Sequence, residues 1–268
     1  MRTLLFSSSI LILLTSCEKE ITVDLNSADQ QIIIEGNVTD QPGPYTVKIT
    51  KTVNFTDDND NQYPPVTNAV VSISDNTGFS ETLTETAPGV YITNQLVGSP
   101  LKTYTLKVNA EGKEYQANST MPAKVNLDSL RFTLIEGGPG SGNGNNYFTI
   151  PLYQDPTAKG NNYRFILTVD NVRNDEYFVA NDNIQNGKIN EQPLRSFDTE
   201  VEKGDSVLVE MRCIDLSTYN YFFTLSQIAG NGPGGGTTPT NPPNNITGNK
   251  ALGYFSAHTV QFRKQAAQ

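Results

Sequence analysis

From Ile32 onward, apolar residues alternate with polar ones in short runs divided by turn chemistry. Ile32-Ile33-Ile34 leads into Glu35-Gly36-Asn37-Val38-Thr39, and Asp40-Gln41-Pro42-Gly43 turns the chain into Tyr45 to Val53. A side-chain period of two marks a strand with one face on a core. Ala69-Val70-Val71-Ser72-Ile73 and Phe79 to Thr84 flank a hairpin turn at Asp75-Asn76-Thr77-Gly78. Pro88-Gly89 leads into Val90-Tyr91-Ile92, and Tyr104 to Val108 returns as Tyr115-Gln116-Ala117 across Glu111-Gly112. Seven short strands in about ninety residues predict a β-sandwich of immunoglobulin or transthyretin type over residues 30–122, with the topology left open.

Met121-Pro122-Ala123-Lys124 reads as a boundary, because proline cannot donate within a central strand. A second mainly β domain is expected over 123–268, making the chain all-β in class. Its strands are read at Val125 to Phe132, Tyr147 to Tyr153, Tyr163 to Val169, Ser206 to Ile214 and Ala251 to Ala257. Between Val172 and Gly204 the chain is polar and is expected to form a long excursion with one short hairpin near Tyr177-Phe178-Val179. One helix is predicted over about 217–229, with Ser217 as its cap and Gly230 as its end. Tyr221, Leu225 and Ile228 recur at helical spacing, and the aromatics are assigned to packing on the second sheet. Gly137 to Asn146 and Gly232 to Thr247, rich in glycine, asparagine and proline, read as flexible loops.

The first residues differ in kind. Arg2 precedes a short apolar run from Leu4 to Leu14, too short to span a bilayer, which takes roughly twenty residues. Residues 1–16 therefore read as a secretory signal, followed by a tether over 17–29. Leu14-Thr15-Ser16-Cys17 resembles the bacterial lipobox, which implies that the Cys17 thiol is lipidated and its new amino terminus acylated. Two acyl chains hold a protein on a membrane where one does so only marginally. Glu18-Lys19-Glu20 is similar to the surface-export signal of Bacteroidetes-type lipoproteins; it also fits a solvated tether.

Charge and cysteine usage narrow the function classes. The chain carries 19 basic and 28 acidic residues, a net charge of −9, and losing residues 1–16 removes only Arg2 and leaves −10. An acidic chain with no basic stripe repels phosphate backbones, so nucleic acid is not an expected partner. With Cys17 lipidated, Cys213 has no partner for a disulfide and is expected to be a buried strand residue.

No residue pattern points to catalysis, and no cofactor is implied. His258 is the chain's single histidine, there is no Gly-x-Ser-x-Gly elbow, and a zinc site would need more nitrogen or sulfur ligands. Asp57-Asp58-Asn59-Asp60-Asn61 lacks the central glycine and distal glutamate of a calcium loop and reads as a solvated hairpin tip, so no metal site is assigned. Asp128-Ser129-Leu130 and Asp205-Ser206-Val207 resemble the acceptor for O-glycosylation in Bacteroidetes-type exported proteins; Ser129 and Ser206 equally fit strand starts.

Cys17-Glu18-Lys19-Glu20-Ile21, Ile34-Glu35-Gly36-Asn37-Val38-Thr39-Asp40, Gly43-Pro44-Tyr45-Thr46-Val47, Asn68-Ala69-Val70-Val71 and Pro88-Gly89-Val90-Tyr91 follow one another in a recognisable order. Asp128-Ser129-Leu130, Gly204-Asp205-Ser206-Val207 and Leu252-Gly253-Tyr254-Phe255-Ser256-Ala257 continue it. In this order the chain resembles a family of Bacteroidetes-type outer-membrane lipoproteins described as a domain of unknown function and encoded beside TonB-dependent receptors. The resemblance implies a lipid-anchored, cell-surface position in the outer membrane and a non-catalytic role as accessory or substrate-binding partner of a TonB-dependent receptor in uptake. The alternative is a stand-alone glycan- or peptide-binding surface lipoprotein using Tyr63, Tyr147 or Tyr153, although each also fits core or strand packing. The loops Asn54 to Pro65, Gly137 to Asn146 and Gly232 to Thr247 are the expected contact surfaces.

Overall fold

In the computed structural model, which describes residues 29–53, 63–134, 146–196, 199–229 and 240–268, the alternation becomes pairing. β1 (Ile32–Thr39) buries Ile32, Ile34 and Val38 on one face and turns Ile33, Glu35, Asn37 and Thr39 to the other. β2 (Thr46–Lys51) lies antiparallel to it. β3 (Val70–Asp75) and β4 (Ser80–Thr82) form the expected hairpin, where the Asp75 carboxylate accepts from the backbone N–H of Thr77 at 2.8 Å and of Phe79 at 3.1 Å. The run from Phe79 to Thr84 breaks at buried Leu83: β4 stays with β3, while β5 (Thr84–Ala87) crosses to pair with β6 (Val90–Ile92). β7 (Thr103–Ala110) and β8 (Lys113–Thr120) close the Glu111-Gly112 hairpin. The break at Leu83 gives eight strands where seven were expected, among the described residues.

Beyond Met121, β9 (Ser129–Leu134) and β10 (Tyr147–Leu152) make a two-stranded sheet. Val125 and Leu127 precede that ladder but are buried beside it. β11 (Asn162–Val169) carries both β12 (Val172–Arg173) and β13 (Phe178–Asn181), so the polar excursion folds back on one strand. β14 (Ser206–Ile214) follows, then helix α1 (Leu216–Ala229). The cap differs from expectation. Asp215, not Ser217, accepts the Thr218 backbone N–H at 2.8 Å, because the helix starts one residue earlier and aspartate at that place reaches the free amides of the first turn.

The chain ends with β15 (Ile246–Gly248) and β16 (Ala251–Ala266). A five-stranded sheet runs β15-β8-β7-β3-β4, and a nine-stranded sheet runs β12-β11-β14-β16-β1-β2-β6-β5, with β13 also on β11. One core, holding Ile34, Val47, Ile73, Leu106 and Phe255, lies between the five-stranded sheet and the β1 half of the larger one. A second, holding Leu127, Leu130, Phe165, Val209 and Met211, lies between β9–β10 and the β11–β14 half. Met121 lies in the first core and Val125 in the second, but the first core also takes Ala251, Phe255 and Ala257 from β16. Residues 251–258 pair in parallel with β1, and residues 259–266 pair antiparallel with β14. Periodicity locates strands, but partner choice over more than two hundred residues leaves no local mark. Part of the segment read as a flexible loop is likewise fixed: Asn245 donates to the carbonyls of Asn118 and Phe255 at 3.0 and 2.7 Å.

Two polar links weld the halves where β16 changes partner. Val260 N–H donates to Asp40 Oδ1 at 2.8 Å, and Ser119 Oγ donates to the cap residue Asp215 at 2.6 Å while accepting from Ala257 N–H at 2.8 Å.

The tightest approach in the shared strand is at Gly253, whose φ is +98° and where a Cβ would stand 2.0 Å from the Ile34 carbonyl oxygen. Gly253→Ala is expected to cost about 3 kcal/mol by urea denaturation. Gly78→Ala, at a similar φ but with nothing within 4 Å, should cost about 1 kcal/mol.

Candidate functional site

The segment entering β11, the strand β13 and the loop after it enclose a cavity of about 290 Å³ against Tyr219 of α1. The loop is tied to the segment by Asn190 N–H donating to the Tyr153 carbonyl at 2.9 Å and Asp155 N–H donating to the Lys188 carbonyl at 3.0 Å. Asparagine side chains close its turns: Asn181 and Asn190 accept from the backbone N–H two residues ahead, at 3.2 and 3.3 Å. Tyr153, Tyr163 and Tyr219 supply rings, with the Tyr153 and Tyr163 centroids 4.7 Å apart.

Two buried carboxylates stand in this cavity. Asp155 accepts from the Tyr163 hydroxyl and from Gly187 N–H at 2.9 Å. Asp182 uses Oδ2 to accept from Gly160 N–H at 2.7 Å and Asn161 N–H at 3.0 Å. Burial, then the hydrogen bond to Asp155, pushes the Tyr163 phenol well above its ordinary range. Burial and the nearby Asp155 charge do the same for Tyr153, whose hydroxyl makes no hydrogen bond inside the protein. The cavity thus presents a ligand with ring faces from its tyrosines and with carboxylate oxygens held by backbone and phenol donors.

A second polar cluster lies on the β11–β14–β16–β1 face turned away from the cores. Arg164 and Arg212 sit directly opposite one another in the ladder, an arrangement that repels. Arg212 Nε donates to Glu210 at 2.6 Å, and the Arg164 guanidinium carbon lies 3.6 Å from the centre of the Phe222 ring of α1. Such a contact away from water is worth about 2 kcal/mol. Burial, then Arg212, lowers Arg164 to about 10, which leaves it charged at neutral pH. The α1 aromatics thus pack on this sheet face, with Tyr221 and Phe222 centred 5.1 and 4.9 Å from Tyr254 of β16.

The residues singled out from sequence fall apart in space. His258 is buried in β16, its Nδ1 3.0 Å from Ser256 Oγ and its Nε2 without a partner. Cys213 is a free, buried residue of β14, its thiol pushed up by burial. Ser129 and Ser206 are half-buried first residues of β9 and β14. Tyr153 is buried, Tyr147 packs against the second core, and Tyr63 is 52 % exposed. Cys17, residues 57–61 and most of the three expected contact loops lie outside the described residues. Among the described residues, no three His, Cys, Asp or Glu side chains are placed to hold a metal.

Burial, followed by the charges of Arg212 and Arg164, holds His258 well below its ordinary value, so the folded protein resists a proton that the unfolded chain takes up. Stability should therefore fall as pH drops below about 6.5, by about 1.4 kcal/mol per unit, until the folded value is reached. Because this is the chain's single histidine, His258→Gln should flatten the slope between about pH 6.5 and 5 in urea titrations.

No curated protein matches the chain. The model of the family described as Domain of unknown function (DUF4249) matches residues 18–264, nearly the full length, and the chain belongs to that family.

Proposed function

We propose that this protein is a lipid-anchored, non-catalytic accessory of a TonB-dependent outer-membrane receptor, displayed at the cell surface, that holds substrate for the receptor or covers its mouth. The observation that carries the reading is where the family match begins. It starts at Glu18, the residue after Cys17, as expected if residues 1–16 are a removable signal and Cys17 is the lipidated first residue of the mature chain. No described helix is long and apolar enough to cross a membrane, so attachment through acyl chains accounts for residence with the described fold as it stands. A sheet-built body with two cores is a firm scaffold for recognition by loops. The second reading, a stand-alone glycan- or peptide-binding surface lipoprotein, is favoured by the cavity beside Tyr153.

Metabolic labelling with a palmitate analogue should mark the wild-type protein, whereas Cys17→Ala should be unlabelled and leave the membrane fraction. After mild detergent extraction, the tagged protein should co-purify with a TonB-dependent receptor. If it repeatedly emerges alone, the receptor partnership is wrong and the stand-alone reading takes its place.

A further inference from the structure

We infer that the cavity between Tyr153, β13 and Tyr219 binds a neutral, hydroxyl-rich ligand, the end of an oligosaccharide, an inference that rests on reading the protein as a binder. Hydrogen-bonding groups that the protein itself leaves unused point to this chemistry. The Tyr153 side chain is only 3 % exposed, yet its hydroxyl neither donates to nor accepts from any protein group. That hydroxyl opens onto the cavity, so a ligand able to both donate and accept would bond it in place of solvent. Asp182 commits Oδ2 to the loop backbone and leaves Oδ1 without a protein donor. The side-chain amides of Gln185 and Gln192 line the same space and make no hydrogen bond inside the protein.

Charge and size exclude the competing ligand classes. Asp155 and Asp182 outnumber Lys188, so an anion would meet net repulsion. An apolar ligand would bury the Tyr153 hydroxyl, the free Asp182 oxygen and two amides with nothing to bond them. A bare cation has few free oxygens, since both oxygens of Asp155 are already taken. A volume of about 290 Å³ lies just below the usual range for ligand sites, roughly 300–1,000 Å³, and suits a terminal sugar rather than a long chain.

The rim has matching apolar surface. Ile184, 89 % exposed, lines the mouth, and Tyr219 stacks on Phe223 with centroids 5.7 Å apart. Sugars present C–H faces as well as hydroxyls, and ring and aliphatic surfaces take up the former. The site therefore pairs unused polar groups within with apolar surface at its mouth.

The test uses the full chain, purified in mild detergent, on an array of short neutral and anionic oligosaccharides, followed by calorimetry with the best neutral binder. Tyr153→Phe removes only an oxygen that bonds nothing in the protein, so its melting temperature should match the wild type while its affinity falls about tenfold. Gln185→Ala should weaken binding in the same way. Binding to no neutral glycan, binding to anionic glycans alone, or equal affinity in both variants would overturn the assignment. Receptor co-purification measured on the Tyr153→Phe protein separates this outcome from the fate of the accessory reading, since that readout does not pass through the cavity.

Discussion

Everything in this fold hangs on one strand serving two cores. Residues 251–258 fill the open edge of β1, and residues 259–266 fill that of β14. Without β16, both neighbours would expose a row of unpaired backbone groups in the middle of the larger sheet, where each orphan group is costly. The side chains follow the same division: Phe255 and Ala257 enter the first core, while Ala267, just past the strand, enters the second. The period of two makes this arrangement intolerant of slippage, because a shift by one residue would drive His258 and Tyr254 into the cores. Asp40 and Ser119 pin the register where the partner changes.

The outer face of that strand explains the position of the helix. Arg164, Arg212 and His258 would sit comfortably on a wet face, but α1 covers part of it. Glu210 pairs with one guanidinium, the Phe222 ring faces the other, and burial keeps the imidazole neutral. The helix thereby seals a polar layer between itself and the sheet, and its aromatic run is the means of doing so.

Much of this was legible in the residues. The strands stood out because half-buried sheets write an alternating pattern, and the hairpins at Asp75–Gly78 and Glu111–Gly112 because turns need particular residues. Other features were hidden for physical reasons. Alternation also suggests that Arg164 and Arg212 face solvent, and nothing local reveals that a helix lies over them. Asp215 directly follows β14 and looks like a strand end, whereas Ser217 stands two residues nearer the expected helix. The cavity was invisible because Tyr153, Asp182 and Tyr219 come from three separate segments. Its one faint signal is Tyr153 itself, which reads from sequence as an aromatic platform but whose ring the folded chain buries.

The shared strand also sets a timetable. A chain that leaves the ribosome or a translocon from its amino end presents β1 and β14 long before residues 251–266 follow. The ladders that β1 and β14 make with this strand can form only after that late segment arrives. High sequence separation between partners slows such closure and prolongs the life of a chain with open sheet edges.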